Sequence, residues 1–199
     1  VFTTHNVNAP RLKFDHCTIS VNGGNDFAYF TKAVELADTE VAIENISGYV
    51  IHDHDSNNVG GNSQMTLLRS KIAANAVSQG WAELGSVVLD MSSISIRNLP
   101  SNIGFHTCNL ELRNGSALLL GDIGSHGFTN GRLVVNDGCT VDVKNIAYLG
   151  LNVTDGSIFK TGSTVSVSAR AFALGGQRHG NSSRSLPGER SPCWTATTF

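Results

Sequence analysis

The feature that most constrains this chain is a pattern that occurs three times between residues 110 and 167. The copies cover residues 110–120, 133–143 and 157–167 and start 23 and 24 residues apart. In each, a glycine stands at the sixth position (Gly115, Gly138, Gly162) and apolar residues at the ninth and eleventh (Leu118 and Leu120, Val141 and Val143, Val165 and Val167). Apolar residues at period two mark strands with one buried face, and small turn residues between two such runs mark a reversal. Two short strands and a turn cannot bury their own apolar face, so the copies must stack on one another.

The pattern extends upstream in looser form. Residues 12–21 alternate Leu12, Phe14, Ile19 and Val21, and Cys17-Thr18 there matches Cys139-Thr140 of the later copy. Residues 41–51 and 65–74 restore the alternation. In 87–96, Val88, Asp90, Ile94 and Ile96 stand 24 residues before Leu112, Asn114, Leu118 and Leu120. Together these make about seven coils over residues 11–168, a rod of roughly 30 to 35 Å at the spacing of paired strands. Residues 27–37 leave two readings open, a loose short helix on Phe27, Phe30, Val34 and Leu36 or a short strand from Ala33 to Leu36. Residues 1–10 read as a lead-in or cap over the first coil. From about Arg170 the alternation stops. Residues 169–199, where four arginines face Glu189 alone, read as a C-terminal cap or a loosely ordered tail.

The L-x-x-L-x-L-x-x-N frame of leucine-rich repeats is absent, and helical repeats would need a period of 3.6. The coils resemble the parallel β-helix of pectin-lyase-like proteins, autotransporter passengers and phage tailspikes. That resemblance implies an all-β chain wound as a single-stranded, right-handed parallel β-helix, with hydrogen bonds running between coils. Many enzymes of this fold cleave acidic polysaccharides with carboxylates set in a groove along the rod. Of the motifs such hydrolases would bring (N-T-D, D-D, G-H-G, R-I-K), only Gly124-Ser125-His126-Gly127 comes near, with a serine inserted. Arg97, Arg113 and Arg132 stand in no lyase motif.

Composition narrows the partners. Charged residues make up 15% of the chain and the formal net charge is -2, against roughly 25% charged residues in an average soluble domain. Nothing here calls for nucleic acid or an anionic membrane as partner. No run approaches the roughly 18 to 20 apolar residues of a membrane span. Cys17, Cys108, Cys139 and Cys193 form no CxxC pair, and coils several steps apart exceed the reach of a disulfide, so mostly free thiols are expected.

Three sets of residues are candidates for chemistry. His52-Asp53-His54-Asp55 is the densest group of potential ligands. In an extended chain the histidines lie on one side and the aspartates on the other, and either pair would help hold a divalent cation such as calcium, with Asn57 or Asn58 nearby. No other cofactor is implied. Trp81, with Tyr49 and Phe105, reads either as a sugar-stacking platform or as aromatic cover over coil edges or loops. Asp90, Asn114 and Asp137 come from successive coils near one turn, either as a carboxylate pair for catalysis or as a ladder closing the corners. Asn45, Asn114, Asn152 and Asn181 each begin an N-x-S/T triplet.

The reading these features favour is a non-enzymatic extracellular or cell-surface module, an adhesive segment or stalk that binds glycans or a surface protein along its side. One alternative is a polysaccharide lyase or glycoside hydrolase acting on acidic polysaccharide, with its groove near residues 52–64 and the Asp90/Asp137 edge. Another is a structural module that self-associates end to end or side by side.

Overall fold

A computed structural model describes residues 2–3, 12–30, 33–53, 64–82, 85–100, 102–106, 108–174 and 197–198. These residues form a parallel β-solenoid, the β-helix architecture implied by the repeat. Each coil has three sides. The first side is a seven-stranded parallel sheet of Leu12–Asp15, Ala33–Ala37, Gln64–Leu68, Ser86–Asp90, Asn109–Arg113, Leu133–Val135 and Ile158–Phe159. The second side follows directly in each coil with Thr18–Asn22, Glu40–Glu44, Lys71–Asn75, Ser93–Leu99, Ala117–Ile123, Thr140–Val153 and Thr164–Leu174. The third is built from Ala28–Phe30, Tyr49–Asp53, Gln79–Ala82, Phe105–His106 and Phe128–Gly131, and the last two strands of the second side run on into it. Seven rungs on the first side wind through about six turns, close to the seven coils expected.

The described residues within 27–37 are extended rather than helical, with strands at Ala28–Phe30 and Ala33–Ala37. The apolar residues there belong to two strands, one on the third side of the first coil and one on the first side of the second. Val34 and Leu36 point inward at period two, in register with Met65 and Leu67 of the next coil. The second coil therefore begins at Ala33 and not at Val41, which pairs with Ile19 on the second side.

Inward residues form continuous columns. Ile43, Ile94, Leu118, Val141 and Val143 are all buried, and each such side chain stabilises the rod by roughly 1.5 to 3 kcal/mol. On the third side, Trp81 stacks on Phe105 with centroids 5.0 Å apart and planes 8° from parallel, and Phe105 on Phe128 at 6.0 Å. Just before these rings stands a glycine column of Gly80, Gly104 and Gly127. A Cβ at Gly104 would lie 2.6 Å from the carbonyl oxygen of Gly127, and one at Gly127 would lie 2.4 Å from that of Gly150. The chain passes too close to its neighbour for any side chain there.

The corner between the first and second sides is turned by one left-handed residue in each early coil: His16, Asp38, Arg69 and Met91, with φ between 46° and 54°. The residue that follows carries a small buried or half-buried side chain, and four of these make a relay. The amides of Cys17, Thr39, Ser70 and Ser92 donate to Thr39 Oγ1, Ser70 Oγ, Ser92 Oγ and Ser116 Oγ of the next coil. Each of those hydroxyls donates in turn to a carbonyl of its own coil, such as Ser92 Oγ to Asp90 at 2.7 Å. From the fifth coil the corner gains a residue, as in Asn114-Gly115, and the Ser116, Cys139 and Ser163 amides close back on their own coil. That extra residue is why the spacing is 23 from Leu89 to Leu112 but 24 from Ile94 to Leu118.

At the next corner Asn45, Ala76, Asn98, Asp122 and Asn145 are left-handed. Asparagine tolerates this conformation better than most residues. Its amide also pairs between coils here, Asn45 to Asn22, Asn98 to Asn75 and Asn145 to Asp122, at 2.7 to 3.0 Å. Among the described residues no helix is long and apolar enough to cross a membrane.

Candidate functional site

The histidine-aspartate run lies at the end of a third-side strand. His52 is in register with Tyr29 and Ala82, and Asp53 with Phe30. His54, Asp55, Asn57 and Asn58 lie outside the described residues.

The aromatic platform is not on the surface. Trp81 is 1% exposed and Phe105 0%, and the two ring faces pack against each other inside the solenoid. Trp81 is a core residue because it follows Gly80 at the close passage between coils, which turns its side chain inward. Its indole N–H is buried without a hydrogen-bond partner among the described residues. Tyr49 opens its strand, and its amide donates to Asp26 Oδ1 at 2.7 Å. Neither residue joins the other in a sugar-binding face.

The acidic edge is a ladder at its first step. Asn114 Nδ2 donates to Asp90 Oδ1 at 2.7 Å. Asp90 itself is paired in register with Arg113, and Asp137 sits exposed in the turn of the following coil. The sequon asparagines Asn45, Asn114 and Asn152 all use their amides in such cross-coil bonds, Asn152 to Thr129 Oγ1 at 3.2 Å.

Two shallow polar grooves run along this corner. One is bordered by Glu40, Lys71, Met91, Ser93 and Ala117, and the other by Glu111, Arg113, Asn136, Asp137 and Lys160. Of their carboxylates, Glu111 has a cationic partner. Glu111 receives two hydrogen bonds from Arg113, at 2.8 and 2.7 Å, and these hold its carboxyl below the usual range, with Asn136 adding to the effect. Beside the first groove, Arg69 grips both oxygens of Asp38 at 2.7 and 2.6 Å, which lowers the Asp38 pKa and raises that of Arg69.

Asp15, His16 and Asp38 bring three potential ligand atoms within 4.8 Å of one another. The bidentate Arg69 occupies Asp38 and places a fixed positive charge where a cation would have to sit, so this cluster is a poor metal centre.

One exposed aromatic was not anticipated from the sequence. Tyr148 is 64% exposed, and its ring lies 5.1 Å from that of His126, tilted by 51°. The backbone that holds it is fixed, with the Tyr148 amide donating to the Ser125 carbonyl at 2.9 Å. Ser125 Oγ lies 2.8 Å from His126 Nδ1 and fixes the imidazole. Tyr148 fills the place that Ser125 fills one coil earlier, so the corner presents an aromatic where a hydroxyl would serve. The sequence cue was that substitution, visible only once the coils are aligned.

No family model, no curated protein and no solved structure matches this chain.

Proposed function

We propose that this solenoid is a binding module of a secreted or cell-surface protein and that it holds a glycan at the corner carrying Tyr148 and His126. The observation that carries the reading is Tyr148 itself, a large ring left 64% exposed on a rigid backbone with a second ring packed beside it. Aromatic faces with a polar tip suit the alternating apolar and hydroxyl surfaces of a sugar ring. Charged residues make up only 15% of the chain, which fits a ligand recognised by neutral hydrogen bonds.

Binding is favoured over hydrolysis because Asp90 is engaged in closing its corner and Asp38 and Glu111 are gripped by arginines. An acid so held is poorly placed to donate or accept a proton. The test is a glycan-array screen of the full chain with and without calcium, repeated with Tyr148→Ala and run beside a reducing-sugar assay on acidic polysaccharides. The reading expects a discrete set of glycans bound without calcium, binding at least about tenfold weaker in the variant, and no sugar release. Binding unchanged by the substitution, no binding at all, or release of reducing ends would overturn it.

A further inference from the structure

The two outermost coils carry nearly the same sequence on the second side. The first coil reads Thr18-Ile19-Ser20-Val21-Asn22 and the last Thr164-Val165-Ser166-Val167-Ser168. Most coils between them place Glu40, Glu44, Lys71, Arg97, Asp142 or Lys144 at the outward positions that both ends leave to threonine, serine and asparagine. The inward Ile19, Val21 and Val167 are only half-buried, whereas their column mates Ile43, Ile94, Ile96 and Val143 are fully buried. Among the described residues no strand pairs with the outer edge of Leu12–Asp15, Thr18–Asn22 or Ile158–Phe159. The outer edge of Thr164–Leu174 meets only Thr197–Thr198, which runs antiparallel along Thr164 and Val165.

We propose that the last coil of one copy stacks on the first coil of a second copy, parallel and in the register that joins every pair of coils within the chain. Continuing that register sets Thr164 opposite Thr18, Val165 opposite Ile19, Ser166 opposite Ser20 and Val167 opposite Val21. On the first side it sets Phe159 opposite Phe14 and Lys160 opposite Asp15. Both charges of that last pair are exposed. The occupant is therefore matched in hydrogen bonding, in apolar column and in charge. Open parallel edges of this kind are templates for a further strand, and a head-to-tail contact does not close on itself, so the product is a filament.

Two short strands oppose it. Thr197–Thr198 covers the start of the last coil, and Phe2–Thr3 pairs with Ala28–Phe30 on the third side, at the position where the partner's last strand would run. Each holds only two residues, so each is a plug that a full coil can displace.

The test uses the full chain in sedimentation velocity from micromolar to millimolar concentration, with folding checked by circular dichroism. Growth in size with concentration is expected, and more of it in Thr197→Pro, since proline fixes φ and removes an amide donor from this two-residue strand. Asp15→Lys and Lys160→Asp should each weaken association roughly two- to fivefold by placing like charges opposite each other, and the double variant should restore it. A monodisperse monomer at all concentrations in both the unaltered chain and Thr197→Pro overturns the proposal. Association that ignores both charge reversals overturns it as well, and points to side-by-side packing.

Discussion

The amide of Ser70 donates to the hydroxyl of Ser92 one coil away, at 2.9 Å, and that hydroxyl donates to the Asp90 carbonyl of its own coil. One small side chain therefore satisfies two backbone groups at a buried corner. Ser92→Ala leaves the buried Ser70 amide without a partner, while the Asp90 carbonyl keeps the Arg69 amide at 2.9 Å, and we expect a loss of about 1 to 3 kcal/mol in urea denaturation. Ser92→Thr should cost far less, because Thr39 already fills this position in the second coil.

The glycine column sets a sharper limit. Gly104→Ala would push a methyl group to 2.6 Å from the Gly127 carbonyl oxygen, a backbone atom that cannot step aside without moving a coil. Overpacking of this kind costs about 1 to 3 kcal/mol, and the thermal midpoint should fall accordingly. Gly115→Ala is the control. A Cβ there meets nothing within 4 Å, though φ is +74°, so its cost should be only the left-handed penalty of about 1 to 2 kcal/mol.

Trp81 and Tyr148 should behave as opposites. Trp81→Ala empties the centre of a stacked core column and is expected to cost about 3 to 5 kcal/mol. Tyr148→Ala, at an exposed corner, should change stability by no more than about 0.5 kcal/mol while removing glycan binding. Melting curves and the glycan array on the same two variants separate the roles.

Acid should erode one surface contact selectively. Arg69 holds the Asp38 carboxyl below the ordinary range of an aspartate, so the folded state binds this proton less readily than the unfolded chain does. The resulting stability is present above the unfolded pKa and is lost as pH falls through the lower, folded one. In urea denaturation the unaltered chain should exceed Asp38→Asn in stability at neutral pH, and the gap should close below about pH 4. The effect is small, since the pair is solvent-exposed.

Thiol reactivity offers a check on burial. Cys108 and Cys139 are buried and Cys17 half-buried, and burial pushes the Cys108 thiol up. Among these three, a thiol reagent on the native protein should modify Cys17 first and reach the other two only on unfolding.

Legibility from sequence followed strand length. On the first and second sides the strands are mostly five residues or longer, so the alternation of Leu110, Leu112, Leu118 and Leu120 was enough to place coil on coil. On the third side they are as short as Phe105–His106, too brief for a period of two to register. Trp81 consequently looked like a surface aromatic. The cue was a different one, a glycine before an apolar residue at Gly80-Trp81, Gly104-Phe105, Gly127-Phe128 and Gly150-Leu151. The second coil was misphased for a related reason. Its corner at Asp38-Thr39 lacks the glycine of the later copies and is turned by a left-handed aspartate, which only the hydroxyl of Thr39 betrays. Asp90 and Asn114 were correctly brought to one edge, but spacing alone does not tell a catalytic pair from a ladder. The hydrogen bond between them does.

The claim on which everything else rests is that seven rungs stack in register along one axis. Nitroxide labels at Ser20 and Ser166, outward residues of the same column in the first and last coils, test it directly by pulsed electron spin resonance at low protein concentration. Six spacings of about 4.8 Å place the two backbones roughly 29 Å apart, and a single narrow distance near that value is expected. A much shorter distance, or a broad distribution, would contradict the stacked solenoid.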